Sequence, residues 1–156
     1  MMHVYPDPHW TQVFSALLLP AVAIFGSIIA YQSWRTAHNK LKLDLFEKRV
    51  AIYQAIMTLL SSVLTHGKAI DEVGWQFMRD TRGAKWLLDG DIARYIEKDL
   101  WPQFINLQCL QSELEGVGVG EVRSKNVTQQ RDIKIWFGAQ YGAVDAMFAP
   151  YLKLEH

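Results

Sequence analysis

The sequence predicts an all-α protein in which a single transmembrane helix continues into a cytoplasmic antiparallel four-helix bundle. The first supporting observation is an uncharged, largely apolar segment from Trp10 to Trp34. The second is the lack of glycine and proline between Gly26 and Gly67, so that no stop signal would end the helix there. The third is a series of later segments in which apolar residues recur every three or four positions, as they do on one helix face.

The apolar segment has the length and the flanking residues of a membrane-spanning helix. At about 1.5 Å per residue, Trp10 and Trp34 would lie about 36 Å apart, which matches a hydrocarbon core of about 30 Å with an aromatic residue at each interface. No Lys or Arg precedes the segment, whereas five basic residues follow it: Arg35, Lys40, Lys42, Lys48 and Arg49. The positive-inside rule therefore predicts a periplasmic tail (1–9), an inner-membrane span (10–34) and a cytoplasmic bundle (35–153). Residues 154–156 resemble the start of an expression tag.

On a helical projection, the predicted span has one face of small and polar side chains, with Leu19 as its only bulky residue. This face consists of Gln12, Ser15, Leu19, Ala23, Gly26, Ser27, Ala30 and Ser33. Small residues four positions apart, such as Gly26 and Ala30, allow two helices to approach closely in lipid. Three interpretations are open: chance, self-association through this face, or a homo-oligomeric pore with Leu19 as an apolar constriction.

The alternating stretch "KLKLDLFEKR" (40–49) fits the beginning of a helix with a wide apolar arc, expected to end at Gly67. An arc this wide predicts a central helix that packs against two neighbours. Its two stripes are Leu43, Phe46, Val50, Tyr53, Met57, Leu60 and Leu64, and Leu41, Leu45, Ile52, Ile56, Leu59 and Val63. Lys42 and Arg49 project into this arc. Arg49 is expected to extend its head group to water, to pair with a carboxylate, or to contact lipid phosphates or a ligand.

Three further helices are expected at about 70–88, 92–114 and 125–152, with Asp89 or Asp91 capping the second of these and Pro102 kinking it. On one side of the last helix, Gly138, Gly142 and Ala146 form a small strip that predicts close packing against a neighbouring helix. The bundle also contains four tryptophans, which we expect mainly in the core, with one or two anchoring a partner: Trp75, Trp86, Trp101 and Trp136.

No motif for catalysis, a cofactor or a metal is found. The "DGD" stretch (89–91) lacks the ligand spacing of a calcium loop, and no histidine pair has metal-ligand spacing. Cys109 is the single cysteine, so an intrachain disulfide is excluded. Because Lys and Arg balance Asp and Glu at 16 each, no overall positive field favours nucleic acid.

Three segments carry a resemblance: "LKLDLFEKRVAIYQA" (41–55), "FMRDTRGAKWLLDGDIARYI" (77–96) and "WFGAQYGAVDAMFAPYL" (136–152). They resemble a widespread set of small bacterial membrane-anchored proteins that share a Leu-Asp-Leu-Phe-acid-Lys-Arg run just inside the membrane. Where a Phe-Leu-Phe-Gly step is expected, this chain has Trp-Leu-Leu-Asp-Gly (86–90). The resemblance implies the architecture and no activity.

From these observations we expect a non-enzymatic inner-membrane protein without a cofactor. Its expected partners are the lipid bilayer, further copies of the chain and a cytoplasmic protein, with the bundle serving as an interaction or signalling module. The alternative function is the homo-oligomeric pore.

Overall fold

The computed structural model describes the backbone of residues 9–153 and the side chains of residues 22–153. Within these limits the regular structure is entirely helical, which confirms the predicted all-α class. The chain divides into two compact units, Met1–Leu43 and Asp44–His156. The first helix, α1, extends over His9–His66. It ends where predicted, because Gly67 adopts a positive φ of 64°, which glycine tolerates and which commonly terminates helices.

Among the described residues, none of the helices contains a stretch long and apolar enough to cross a membrane. The side chains of residues 10–21, the first half of the predicted span, lie outside the described ones. The predictions for Gln12, Ser15 and Leu19 therefore fall outside them as well. The same holds for residues 1–8 of the predicted tail and for residues 154–156.

The remaining helices differ in their bounds from those expected. They are α2 (Asp71–Thr81), α3 (Ala84–Leu87), α4 (Gly90–Arg94), a π-helical segment (Tyr95–Leu100), α5 (Trp101–Glu113) and α6 (Glu121–Phe148). The helix expected over 70–88 is thus two helices. At the break, the Thr81 hydroxyl donates to the carbonyl of Phe77 at 2.7 Å. A hydroxyl bonded to the carbonyl four residues earlier can bend a helix. A one-turn helix restarts after Gly83.

The helix expected over 92–114 is continuous but contains the π-helical segment immediately before Pro102, which lies in the first turn of α5. Proline has no N–H to donate, and its ring crowds the carbonyl four residues earlier. The wider turn of the π segment accommodates both effects, where the sequence predicted a kink. Asp89 occupies the N-cap position of α4 as expected, but its side chain makes no capping hydrogen bond.

The unit Asp44–His156 has one hydrophobic core, to which every helix contributes. From α1 it takes Ile52, Ile56, Leu59, Leu60 and Val63. In this part of the helix the second predicted stripe is therefore buried, whereas the first is buried at Leu60 and half-buried at Tyr53 and Met57. Leu41, Leu43 and Leu64 are exposed.

Aromatic rings form a second part of the core. The ring of Trp101 is stacked between those of Phe77 and Phe104, at centroid distances of 6.2 and 5.6 Å. Gly74 allows this packing, because a Cβ atom there would lie 2.6 Å from Cε1 of Phe104. The helices thus share one core, while their antiparallel four-helix arrangement stays a prediction.

Candidate functional site

In the N-terminal unit, every described side chain, from residue 22 to residue 43, is exposed. Its large apolar side chains are between 48% and 67% exposed: Val22, Ile24, Phe25, Ile28 and Ile29. The small face predicted from the sequence is exposed as well, at Ala23, Gly26, Ser27, Ala30 and Ser33. A Cβ atom added to Gly26 would meet no atom within 4 Å. The Ser27 hydroxyl donates to the carbonyl of Ala23 at 2.8 Å, so this polar group is satisfied within the helix.

The basic residues that follow fall into two groups. Arg35, Lys40, Lys42 and Lys48 are exposed, whereas Arg49 is half-buried. Within residues 22–153, the only ion pair joins Arg94 to Asp91 at 3.0 Å, so none of the five predicted basic residues is paired with a carboxylate there.

Arg49 instead contacts a carbonyl and an aromatic ring. Its Nε donates to the carbonyl oxygen of Leu87 at 3.1 Å. Its guanidinium carbon lies 5.6 Å from the centroid of the Tyr151 ring, within range of a cation–π interaction. The Tyr151 hydroxyl in turn donates to the carboxylate of Asp89. This hydrogen bond is the main cause that raises the pKa of Tyr151 above its ordinary value.

A second tyrosine hydroxyl also donates to a carboxylate. This is Tyr53, one turn after Arg49 on α1. The Tyr53 hydroxyl donates to Oδ1 of Asp145 at 2.8 Å, which raises the pKa of Tyr53. The Tyr53 ring lies 5.5 Å from that of Phe148. We name Arg49, Tyr53, Asp89, Asp145 and Tyr151 the arginine–tyrosine cluster.

This cluster brings together all three segments that carry the resemblance. Arg49 and Tyr53 belong to residues 41–55, Asp89 to residues 77–96, and Asp145 and Tyr151 to residues 136–152. Sequence reasoning singled out Arg49 but not its partners, because tyrosine–aspartate pairs separated by 62 and 92 positions leave no local pattern. The cluster holds the end of α6 and the α3–α4 junction against α1.

An open groove runs between α1 and α2. A cavity of about 710 Å³ is lined on the α1 side by Ala51, Ala55 and Thr58, and on the α2 side by residues that include Glu72 and Asp80. A neighbouring cavity of about 750 Å³ shares Gln54, Thr58 and Val73 with it and reaches His66. Small α1 side chains and two carboxylates give the groove an acidic wall.

The small strip on α6 does not pack as predicted. Gly138, Gly142 and Ala146 are exposed, and a Cβ atom at either glycine would meet nothing within 4 Å. The helix buries a different face, formed by Ile133, Phe137, Val144 and Phe148. The close helix contact expected for the strip is therefore not made within the described chain, because the large apolar side chains turn the strip outwards.

The four tryptophans of the unit Asp44–His156 divide equally between core and surface. Trp101 and Trp136 are partly buried and pack against the core. Trp75 and Trp86 are 69% and 80% exposed, within the one or two tryptophans expected outside the core.

Metal-ligating side chains are dispersed over the described residues. Cys109 is exposed, and across residues 22–153 no three metal-ligating side chains of the His, Cys, Asp and Glu types come together. Comparison with protein-family models, with curated proteins and with solved structures gives no match to this chain.

Proposed function

We propose that the protein is a non-enzymatic inner-membrane protein that self-associates through its N-terminal helix, while its cytoplasmic helical unit acts as an interaction or signalling module. One observation carries the proposal: five large apolar side chains in residues 22–29 are all at least 48% exposed. Large apolar side chains that the chain itself leaves exposed, on an uncharged helix, are typical of a membrane span. The sequence extends this uncharged segment back to Trp10.

The orientation rests on charge. Four exposed basic residues, Arg35, Lys40, Lys42 and Lys48, follow the apolar segment, and no Lys or Arg precedes it. Basic residues are retained on the cytoplasmic side of a span, where they also meet anionic lipid head groups. The resemblance of residues 41–55, 77–96 and 136–152 to membrane-anchored bacterial proteins favours the same placement.

Self-association rests on the small face. Ala23, Gly26 and Ala30 are exposed, and a Cβ atom built on Gly26 would meet nothing within 4 Å apart from its chain neighbours and the backbone of its own helix turn. A chain with one span must find its helix partner in another chain, and small residues let the two backbones approach. A water-filled pore through the same face would need four or more helices, so stoichiometry separates the two functions.

The decisive experiment measures the mass of the purified chain in mild detergent, corrected for bound detergent. We expect a dimer, a monomer for Gly26→Ile, and a dimer for Ile24→Phe, which adds bulk on the opposite side of the helix. A monomeric parent chain, or a Gly26→Ile variant that still dimerises, would contradict association through this face.

Four or more copies would favour the pore instead. In that case Leu19→Ser should raise the leak current through a planar bilayer, because it makes the apolar constriction polar. Membrane anchoring is tested separately by extraction at alkaline pH, and release of the chain into the soluble fraction would refute it.

A further inference from the structure

The unit Asp44–His156 carries an exposed aromatic and basic surface around a small cavity. The cavity has a volume of about 230 Å³ and lies between α2, α3 and the helix that starts at Gly90. Ala84 and Ile96 form its buried floor, and Met78, Arg82 and Lys85 also line it. We name these residues, together with Trp75 and Trp86, the tryptophan surface.

The exposure of this surface is unusual for its residue types. Trp75 is 69% exposed, Trp86 80% and Met78 40%. Trp75, Met78 and Arg82 lie three and four positions apart on α2 and its end, so they share one helix face. Tryptophan, methionine and arginine are the residue types enriched in the centres of protein interfaces, and tryptophan and arginine dominate their energetic hot spots.

The charge of the surface has one predominant sign. Arg82 and Lys85 line the cavity together with one carboxylate, Glu97. Lys85 Nζ lies 5.1 Å from the centroid of the Trp86 ring. The other carboxylates of α2 line different cavities: Glu72 and Asp80 face the groove against α1, and Asp71 lines a cavity with Gln108 of α5. The tryptophan surface is therefore net positive and complementary to an acidic partner.

The size of the cavity indicates what enters it. Small-molecule sites usually occupy about 300–1,000 Å³ and enclose most of the ligand. Neither tryptophan lines the cavity, but Trp75 precedes the lining residue Met78 by one turn of α2, and the Trp86 ring lies against the lining residue Lys85. A cavity of about 230 Å³ in this position suits one large apolar side chain delivered by a protein segment. An apolar anchor in a pocket, surrounded by charged contacts, is the usual arrangement of a protein interface.

We propose that the tryptophan surface binds an acidic amphipathic segment of a partner protein, which inserts one large apolar side chain between Met78 and Ile96. Its carboxylates lie beside Arg82 and Lys85, and its apolar face packs on Trp75 and Trp86. This inference rests on the proposed function as an interaction module, and it names the chemistry of the partner.

The experiment places a benzophenone amino acid at position 86 of the full chain, in the membranes of cells that produce it. The matched control has the same probe at Ile135 on α6, which is 60% exposed. After irradiation, the joined peptides are identified by mass spectrometry. The expected product is a protein segment with net negative charge and at least one large apolar residue, formed from position 86 and not from position 135.

Charge reversal then tests the mode of binding. Arg82→Glu with Lys85→Glu should lower the yield of this product at least tenfold, whereas Lys125→Glu with Arg131→Glu, at exposed positions on α6, should leave it within twofold. If the first double variant loses its helical circular-dichroism spectrum, Lys85→Glu alone replaces it and should lower the yield at least threefold. An unchanged yield overturns the proposal.

The same irradiation would also detect other molecules bound to the tryptophan surface. Products with phospholipid only, products with a second copy of this chain only, or no product at position 86 would each overturn the proposal. The detergent mass is measured on the same preparation. A monomer that retains the acidic product refutes the proposed self-association and supports the surface, whereas a dimer without the product does the reverse.

Discussion

In residues 22–29 of α1, the large apolar side chains are at least 48% exposed, whereas those at Ile52, Ile56, Leu59, Leu60 and Val63 of the same helix are at most 2% exposed. Both stretches form regular α-helix, so the backbone is satisfied equally in each. The difference lies in what surrounds them, because only the second stretch is covered by other helices of the chain. The first is not covered by the described residues, and this contrast underlies the proposed membrane anchoring.

The glycines show the same contrast. A Cβ atom at Gly74 would lie 2.6 Å from the ring of Phe104, whereas at Gly26, Gly138 or Gly142 it would meet nothing within 4 Å. Close backbone packing therefore occurs at a glycine that the sequence pattern did not single out. The glycines that the pattern did single out remain available for contacts with other molecules.

The largest expected change in stability comes from truncating a buried phenylalanine of the helical unit, compared with an exposed phenylalanine of the N-terminal part of α1. Phe137→Ala should lower the free energy of unfolding by about 3–5 kcal/mol, since Phe137 is fully buried. The matched variant Phe25→Ala, at a side chain that is 67% exposed, should change it by less than about 0.5 kcal/mol. Denaturant unfolding of the full chain in mild detergent, followed by circular dichroism, measures both. Equal losses would remove the contrast between the regions.

Substitution of glycine by alanine compares a packed glycine, Gly74, with an open one, Gly138, within the unit Asp44–His156. Gly74→Ala should lower the free energy of unfolding by about 1–3 kcal/mol, because the buried Phe104 ring must move. Gly138→Ala should raise it by about 0.5–1 kcal/mol, because alanine favours helix and the site is open. The same unfolding experiment compares the two variants. Stabilisation by Gly74→Ala would contradict the prediction, because it would mean that the Phe104 ring moves aside without loss of stability.

Substitution of two arginines compares a half-buried position of α1, Arg49, with an exposed one, Arg35. Arg49→Met should cost about 1–2 kcal/mol of unfolding free energy, because it removes the hydrogen bond to Leu87 and the contact with Tyr151. Arg35→Met, at an exposed position, should leave the stability of the helical unit unchanged within about 0.5 kcal/mol. An Arg49→Met variant as stable as the parent would mean that the arginine–tyrosine cluster does not hold the unit together.

The smallest effect is a pH dependence from a hydroxyl buried in the core. The Tyr95 hydroxyl donates to Oε1 of Gln140 at 3.1 Å, and burial raises the pKa of Tyr95. The stability that this group contributes is therefore complete below the unfolded pKa of about 10 and is lost as pH rises towards the folded value. Between pH 9 and 10.5, the parent should lose up to about 0.8 kcal/mol more than Tyr95→Phe.

Unfolding free energies of the parent and of Tyr95→Phe at the two pH values measure this difference. Because Tyr53 and Tyr151 remain in both chains, their own titration cancels in the comparison. A parent whose stability falls no more steeply than that of the variant would contradict the burial of this hydroxyl.

Much of the fold follows from local patterns. The sequence predicted the all-α class, the uninterrupted extent of α1 to His66 and the second apolar stripe of α1, which is buried at Ile52, Ile56, Leu59 and Val63. It missed the break between α2 and α3 and the π-helical segment. Both depend on the hydrogen bonds of a few backbone groups, and the spacing of apolar residues in the sequence does not specify these bonds.

By itself, the sequence determined where helices form and which side chains share a face, because backbone hydrogen bonds and the helical repeat act within a few residues of each other. Tertiary structure alone decided that the small strip of α6 is exposed, which two tryptophans of the unit Asp44–His156 lie at the surface, and that Arg49 meets Leu87 and Tyr151. Those outcomes depend on contacts between residues far apart in the chain. Several faces compete for burial there, and the packing of the whole core selects among them.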